Sequence, residues 1–211
     1  MKPAIVDNFG FYGILTNPKR GYDYVTKVFV EHQVPFIQLR IKDTSEYKVL
    51  RIAEKLRPIC EGTHSLFIIN DYPRVAVDSG ADGVHIGQKD MPFDQVREIV
   101  GPDTIVGLST HNPKETEMAC EKNPAYIGIG PVYATPTKKI PDPVLGLDGM
   151  GEMLKKATVP AVCLGGISLE RLPEVLQAGA KNFCMVRPVC EADDPGKIAK
   201  KILKIYNENK Q

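Results

Sequence analysis

The feature that most constrains this chain is a repeat of pattern rather than of residues. A short apolar run rich in β-branched and aromatic residues is followed by a segment with helical periodicity, eight times over. The runs are FYGILT (11–16), PFIQLRIK (35–42), SLFIIND (65–71), VHIG (84–87), TIVGLST (104–110), AYIGIGP (125–131), PAVCLGG (160–166) and NFCMVR (182–187). Helical spacing follows each one. It spans Tyr22 to His32, Ser45 to Cys60, a short piece reaching Asp78, and Asp94 to Val100. It then spans Pro113 to Lys122, Met150 to Lys156, Leu169 to Ala178, and Pro195 to Asn207. Pro113 suits a first helical turn, and Ser168 suits the N-cap of the helix after it.

Near-continuous apolar strands belong to a parallel sheet covered by helices. Eight such units predict a (β/α)8 TIM barrel, with residues 1–211 as a single domain. A doubly wound open sheet is the alternative. Against it, no Gly-x-Gly-x-x-Gly turn follows the first run.

Charge narrows the partners. Lys and Arg number 27 against 26 Asp and Glu, a net charge of +1. That balance gives no support to nucleic acid or an anionic membrane as a partner, so any anion site must be local. The N-terminus shows no signal-peptide pattern, and no apolar run is long enough to span a membrane. A cytoplasmic protein is expected, and the oligomeric state is left open, a homodimer included. Cys60, Cys120, Cys163, Cys184 and Cys190 contain no CxxC pair. They read as buried free thiols rather than as nucleophiles or metal ligands.

In a barrel of this type, ligand-handling residues sit at the C-terminal ends of strands. The second run places Ile37, Leu39 and Ile41 on one face and Gln38, Arg40 and Lys42 on the other. That polar face would rise from the barrel interior to its mouth and clamp a polyanion. Later run ends supply Asn70-Asp71, Gln88-Lys89-Asp90, Ser109-Thr110-His111, the Thr135–Lys139 stretch and Gly165-Gly166. Asp71 and Asp90, taken singly, read as caps of the turns behind them. Beside Arg40, Lys42 and Lys138 they read as a Mg²⁺ pair completed by a substrate phosphate. The Gly165-Gly166 turn before Ser168 reads as a second anion site. The long loop 130–146 reads as a lid over phosphates. His32 and His64 are expected at the surface, His85 in the core, and His111 near the mouth without an evident carboxylate partner.

The segments FIQLRIKD, FIIND, ADGVHIGQKD, GLSTH, GIGPVYATPTKK and LGGIS resemble the thiamine-phosphate synthase family in order and spacing. The resemblance implies two small phosphorylated heterocyclic substrates. One is the diphosphate ester of 4-amino-5-hydroxymethyl-2-methylpyrimidine, and the other is a phosphorylated hydroxyethylthiazole or its carboxylated form. It implies that Gln38, Leu39, Arg40, Ile41, Lys42, Asn70, Ser109 and Lys138 meet the pyrimidine diphosphate. Asp71 and Asp90 would hold Mg²⁺. Thr135, Pro136, Thr137, Gly166, Val186 and Arg187 would meet the thiazole phosphate. The family usually has a small residue after the eighth strand, often Ser followed by Ala or Gly; this chain has Arg187 and Pro188. A thiazole tautomerase of the same superfamily and a non-catalytic phosphate-binding barrel are the rival readings.

Overall fold

The computed structural model describes residues 7–136 and 142–210. Eight parallel strands close into a barrel in sequence order, with β8 pairing back onto β1. The first half comprises β1 (Phe11–Leu15), α1 (Tyr22–Glu31), β2 (Phe36–Leu39), α2 (Glu46–Cys60), β3 (Leu66–Asn70), α3 (Pro73–Asp78), β4 (Gly83–Ile86) and α4 (Phe93–Val100). The second half comprises β5 (Ile105–Thr110), α5 (Pro113–Glu121), β6 (Tyr126–Ile129), α6 (Gly146–Lys156), β7 (Ala161–Cys163) and α7 (Leu172–Gln177). It ends with β8 (Asn182–Met185), α8 (Arg187–Cys190) and α9 (Pro195–Asn209).

The period of 2 along each strand sorts side chains into two layers. Outward residues such as Ile37, Leu39, Phe67, Ile69, Ile127 and Ile129 pack against helix residues such as Phe29, Ala53, Leu56 and Met153. Inward residues form a second, smaller cluster of Phe9, Tyr12, Ile14, Phe36, Ile68, Ile105, Tyr126, Val162 and Cys184. The interior is a packed core, as a barrel of eight strands requires. Gly107 makes room for it: a Cβ there would lie 2.2 Å from Tyr126 Cζ. Asn182, buried at the bottom, ties the closing seam. Its Oδ1 accepts from the Phe9 and Gly10 amides at 2.7 and 2.9 Å, and its Nδ2 donates to Asp7 and Ala161 carbonyls.

Three local expectations are corrected. The last strand stops at Met185, and Arg187 starts a short helix instead of ending the strand. Pro188 explains this, because it cannot donate to a ladder and its fixed φ suits a first helical turn. The helix after Ser168 begins at Leu172, later than expected; Ser168 caps the turn that leads into it, its Oγ accepting the Arg171 amide at 3.4 Å and its carbonyl the Leu172 amide at 3.0 Å. His32 is half-buried, with its Nδ1 bonded to the Val28 carbonyl at 2.8 Å. His64 is exposed and His85 is buried. The cysteines are free; Cys120 is half-buried and the other four are buried. Burial pushes the Cys60 and Cys163 thiols up to about 12, which keeps them protonated and inert.

Candidate active site

The polar row of the second segment behaves as its alternation demands. Gln38 is buried inside the barrel, Arg40 is half-buried above it, and Lys42 emerges at the mouth. Leu39 and Ile41 belong to the outer core, so their side chains turn away from the site and only their backbone faces the same end. β2 itself ends at Leu39, although the Arg40 amide still donates to the Leu15 carbonyl at 3.0 Å.

Asn70 ends β3 and Asp71 follows at φ 68°, a left-handed conformation that Asp and Asn tolerate better than most residues. This turn directs the Asp71 carboxylate to Lys42, with which it forms an ion pair. Asp90 sits beyond β4, where its Oδ2 accepts the Gly87 amide at 2.7 Å. Asp90 thus closes its own turn and also lines the pocket at the barrel mouth. Burial raises the Asp71 carboxyl above the ordinary range. The Lys42 hydrogen bond offsets part of that rise, and the charge of nearby Asp90 adds to it. Burial lowers the Arg40 guanidinium, against the pull of Asp71 and Asp90. Arginine nonetheless remains charged.

Asn70 Nδ2 is buried and, among the described residues, has no hydrogen-bond partner. A buried amide left unpaired is costly, and a ligand acceptor in the adjoining pocket would satisfy it. That pocket, of about 120 Å³, is lined by Gln38, Arg40, Lys42, Asn70, Asp71, Asp90 and Ser109, among others. A larger cavity of about 790 Å³ opens beside it. Ile14, Arg40, Leu164 and Cys184 line both, so the two volumes form one cleft with Arg40 at the junction.

Thr135, Gly165, Gly166, Val186 and Arg187 line the larger cavity. Gly165 and Gly166 have φ of 100° and 63°; Cβ atoms there would fall 2.5 Å from Pro131 Cα and 2.6 Å from the Ala134 carbonyl. These glycines are thus needed to let the loop from Pro131 to Ala134 lie against the turn. Arg171 braces the same turn: its guanidinium donates to the Gly166 carbonyl at 2.9 Å and sits 4.4 Å above the Tyr133 ring. Arg187 is exposed on the cavity wall and, among the described residues, makes no ion pair with Glu191. Pro136 instead borders a neighbouring cavity of about 440 Å³. Thr137 and Lys138, with the central part of the expected lid, lie outside the described residues.

Sequence reasoning missed several contributors. His111 does have a carboxylate neighbour: its Nε2 lies 3.6 Å from Asp142, and its Nδ1 bonds the Gly130 carbonyl at 2.5 Å. Tyr12, Tyr126 and His85 form the floor of the smaller pocket. They belong to a run of hydrogen bonds across the interior. Gln38 Nε2 donates to Tyr12 at 3.0 Å, the Tyr12 and Tyr126 hydroxyls are 2.7 Å apart, and Tyr126 meets His85 Nδ1 at 3.1 Å. His85 Nε2 then meets Ser109 Oγ at 2.9 Å. The available signal was their inward phase, the same one that selects Gln38.

The molecule is thus a closed (β/α)8 barrel that gathers two carboxylates, two cations and an unpaired amide at the ends of neighbouring strands. Residues 15–189 match the family model for thiamine monophosphate synthase, and the chain belongs to that family. A thiamine-phosphate synthase of Gloeobacter violaceus is 41% identical over 172 residues, covering 80% of this chain and 50% of that protein. One of Caldicellulosiruptor saccharolyticus is 36% identical, covering 98% of this chain and 95% of the relative. The structure of a thiamine phosphate pyrophosphorylase from Pyrococcus furiosus superposes with a TM-score of 0.85 at 30% identity, covering 96% of this chain and 98% of that one. The chain spans about half the length of several relatives it matches, those of Gloeobacter violaceus and Synechocystis sp. included.

Proposed function

We propose that the protein is a cytoplasmic thiamine-phosphate synthase. It would join 4-amino-2-methyl-5-(diphosphooxymethyl)pyrimidine to hydroxyethylthiazole phosphate, or its carboxylated form, and release thiamine phosphate and diphosphate, with CO2 as a further product when the carboxylated form is used. The observation that carries this reading is the two-part cleft. One part gathers Arg40, Lys42, Asn70, Asp71 and Asp90, and the other is bordered by Gly166 and Arg187, with Arg40 common to both.

The residues fit a Mg²⁺ ion. Asp71 and Asp90 are hard oxygen donors close enough for one to raise the other's affinity for protons. The ion would take its remaining ligands from diphosphate and water. When bound, Mg²⁺ would neutralise charge on the diphosphate. Arg40 and Lys42 bring fixed positive charge to the departing group, and Asn70 offers its unpaired N–H. The barrel floor holds the pyrimidine ring, whose methylene carbon becomes cationic as diphosphate leaves. The wall formed by Thr135, Gly166 and Arg187 holds the thiazole so that its nitrogen can attack. No side-chain nucleophile is required.

Purified protein given both substrates and Mg²⁺ should release diphosphate only when the thiazole is present. Isomerisation of the carboxylated thiazole without diphosphate release would favour a tautomerase. Binding without turnover would favour a phosphate-binding barrel.

A further inference from the structure

The hydrogen bonds across the barrel interior have a direction. Gln38 Nε2 is a donor to the Tyr12 oxygen. Among the described residues the Tyr12 hydroxyl has one other partner, the Tyr126 oxygen at 2.7 Å, so the Tyr12 proton goes there. With that place taken, the Tyr126 proton goes to His85 Nδ1. In its neutral form the imidazole then carries its proton on Nε2 and donates to Ser109 Oγ. In the opposite direction the buried Tyr12 proton would have no acceptor among the described residues, and an unpaired buried donor is costly. Burial pushes both phenols upward, so both hydroxyls keep their protons.

The last member has a proton left over. Ser109 Oγ accepts from His85, and among the described residues its own O–H has no other partner. Ser109 lines the pocket that also contains Lys42, Asp71 and Asp90. We infer that Tyr126 and His85 are positioning residues, which fix Ser109 as a hydrogen-bond donor to a diphosphate group held at the barrel mouth. The inference rests on the synthase reading for its ligand, but not for the direction of the chain. It explains why two tyrosines and a histidine occupy inward positions that apolar residues could fill: a hydroxyl without a fixed upstream donor can turn its proton inward and present a lone pair to the anion.

Two measurements test this. In ¹⁵N-histidine spectra of the ligand-free protein, with the signals assigned by their loss in His85→Asn, His85 should be the Nε2–H tautomer. An Nδ1–H tautomer overturns the inference. The second is a double-mutant cycle on binding of inorganic diphosphate with Mg²⁺. Ser109→Ala and Tyr126→Phe should each weaken binding about tenfold, the scale of one hydrogen bond to a charged group. Tyr126→Phe should then add nothing in the Ser109→Ala background. Additive losses, or no loss in Tyr126→Phe, would sink the positioning role while leaving the synthase reading intact. Diphosphate binding that follows the cycle without any coupling activity would overturn the synthase reading and leave this inference standing. Absence of diphosphate binding by the unsubstituted protein overturns both.

Discussion

Lys42 and Asp71, one strand apart at the barrel mouth, form an ion pair that joins the cationic row of one segment to the carboxylate row of the next. The pair stores a carboxylate in a half-buried place where Asp90 repels it. A divalent ion arriving with diphosphate would relieve that repulsion.

Asp71→Asn should therefore abolish most Mg²⁺-dependent turnover with little loss of fold, because Asn tolerates the φ of 68° as Asp does. Titrating Mg²⁺ against initial rate checks it; a variant matching the unsubstituted protein at limiting Mg²⁺ removes Asp71 from the metal site. The pH dependence has a definite sign. The folded-state value of Asp71 is raised, so below the ordinary aspartate range near 4 its contribution to stability is fully present. That contribution is lost as pH rises through the raised value, because the folded state there binds more protons than the unfolded one. In metal-free buffer the Tm of Asp71→Asn relative to the unsubstituted protein should thus grow with pH across that window and then level off.

Arg40 faces both volumes of the cleft, so its loss should be felt by both substrates. Arg40→Ala should lower the rate by roughly 10²–10³-fold, the scale of removing one preorganised donor. Steady-state kinetics would show it in kcat. A loss below about tenfold would mean that the guanidinium serves mainly to offset Asp71 and Asp90.

Much of this was legible in the sequence, for a physical reason. Strand alternation is a local property, so the order of residues in one short run is enough to place Gln38, Arg40 and Lys42 inward and Ile37, Leu39 and Ile41 outward. The barrel followed from counting such segments. What could not be read were contacts between distant segments. The Asn182 seam, the Tyr12–Tyr126–His85 chain and the His111–Asp142 approach each join residues whose meeting depends on closure of the whole barrel. Arg187 shows the other kind of miss. Its alternation suited a strand, and the proline after it ended the strand two residues earlier.

That same Arg187 carries the third expectation. It lies exposed on the wall of the larger cavity, which Glu170 and Glu191 also line, and makes no ion pair among the described residues. Pro188 has removed one backbone donor from this wall. Arg187→Ser should raise the Michaelis constant for thiazole phosphate about tenfold, as loss of a charged hydrogen bond would, and leave that for the pyrimidine diphosphate unchanged. Equal loss for both substrates, or none for the thiazole, would place the side chain outside the site.

The last expectation links packing to chemistry. Gly107 faces the barrel interior, and a Cβ there would fall 2.2 Å from Tyr126 Cζ and 2.5 Å from its hydroxyl oxygen. Tyr126 is buried and stacks near His85, with ring centroids 5.5 Å apart, so it has little room to retreat. Gly107→Ala should cost about 1–3 kcal/mol by overpacking, read from urea unfolding. Whatever ring movement relieves the clash also pulls the Tyr126 hydroxyl from Tyr12 and His85, so turnover should fall beyond the loss of folded protein. Gly151→Ala is the contrast, since a Cβ there meets nothing within 4 Å and the residue lies within α6. It should gain about 0.5–1 kcal/mol from helix propensity and leave turnover unchanged. A Gly107→Ala protein as stable and as active as the unsubstituted one would show that the interior layer has slack, and that Tyr126 is not held where the chain of hydrogen bonds requires it.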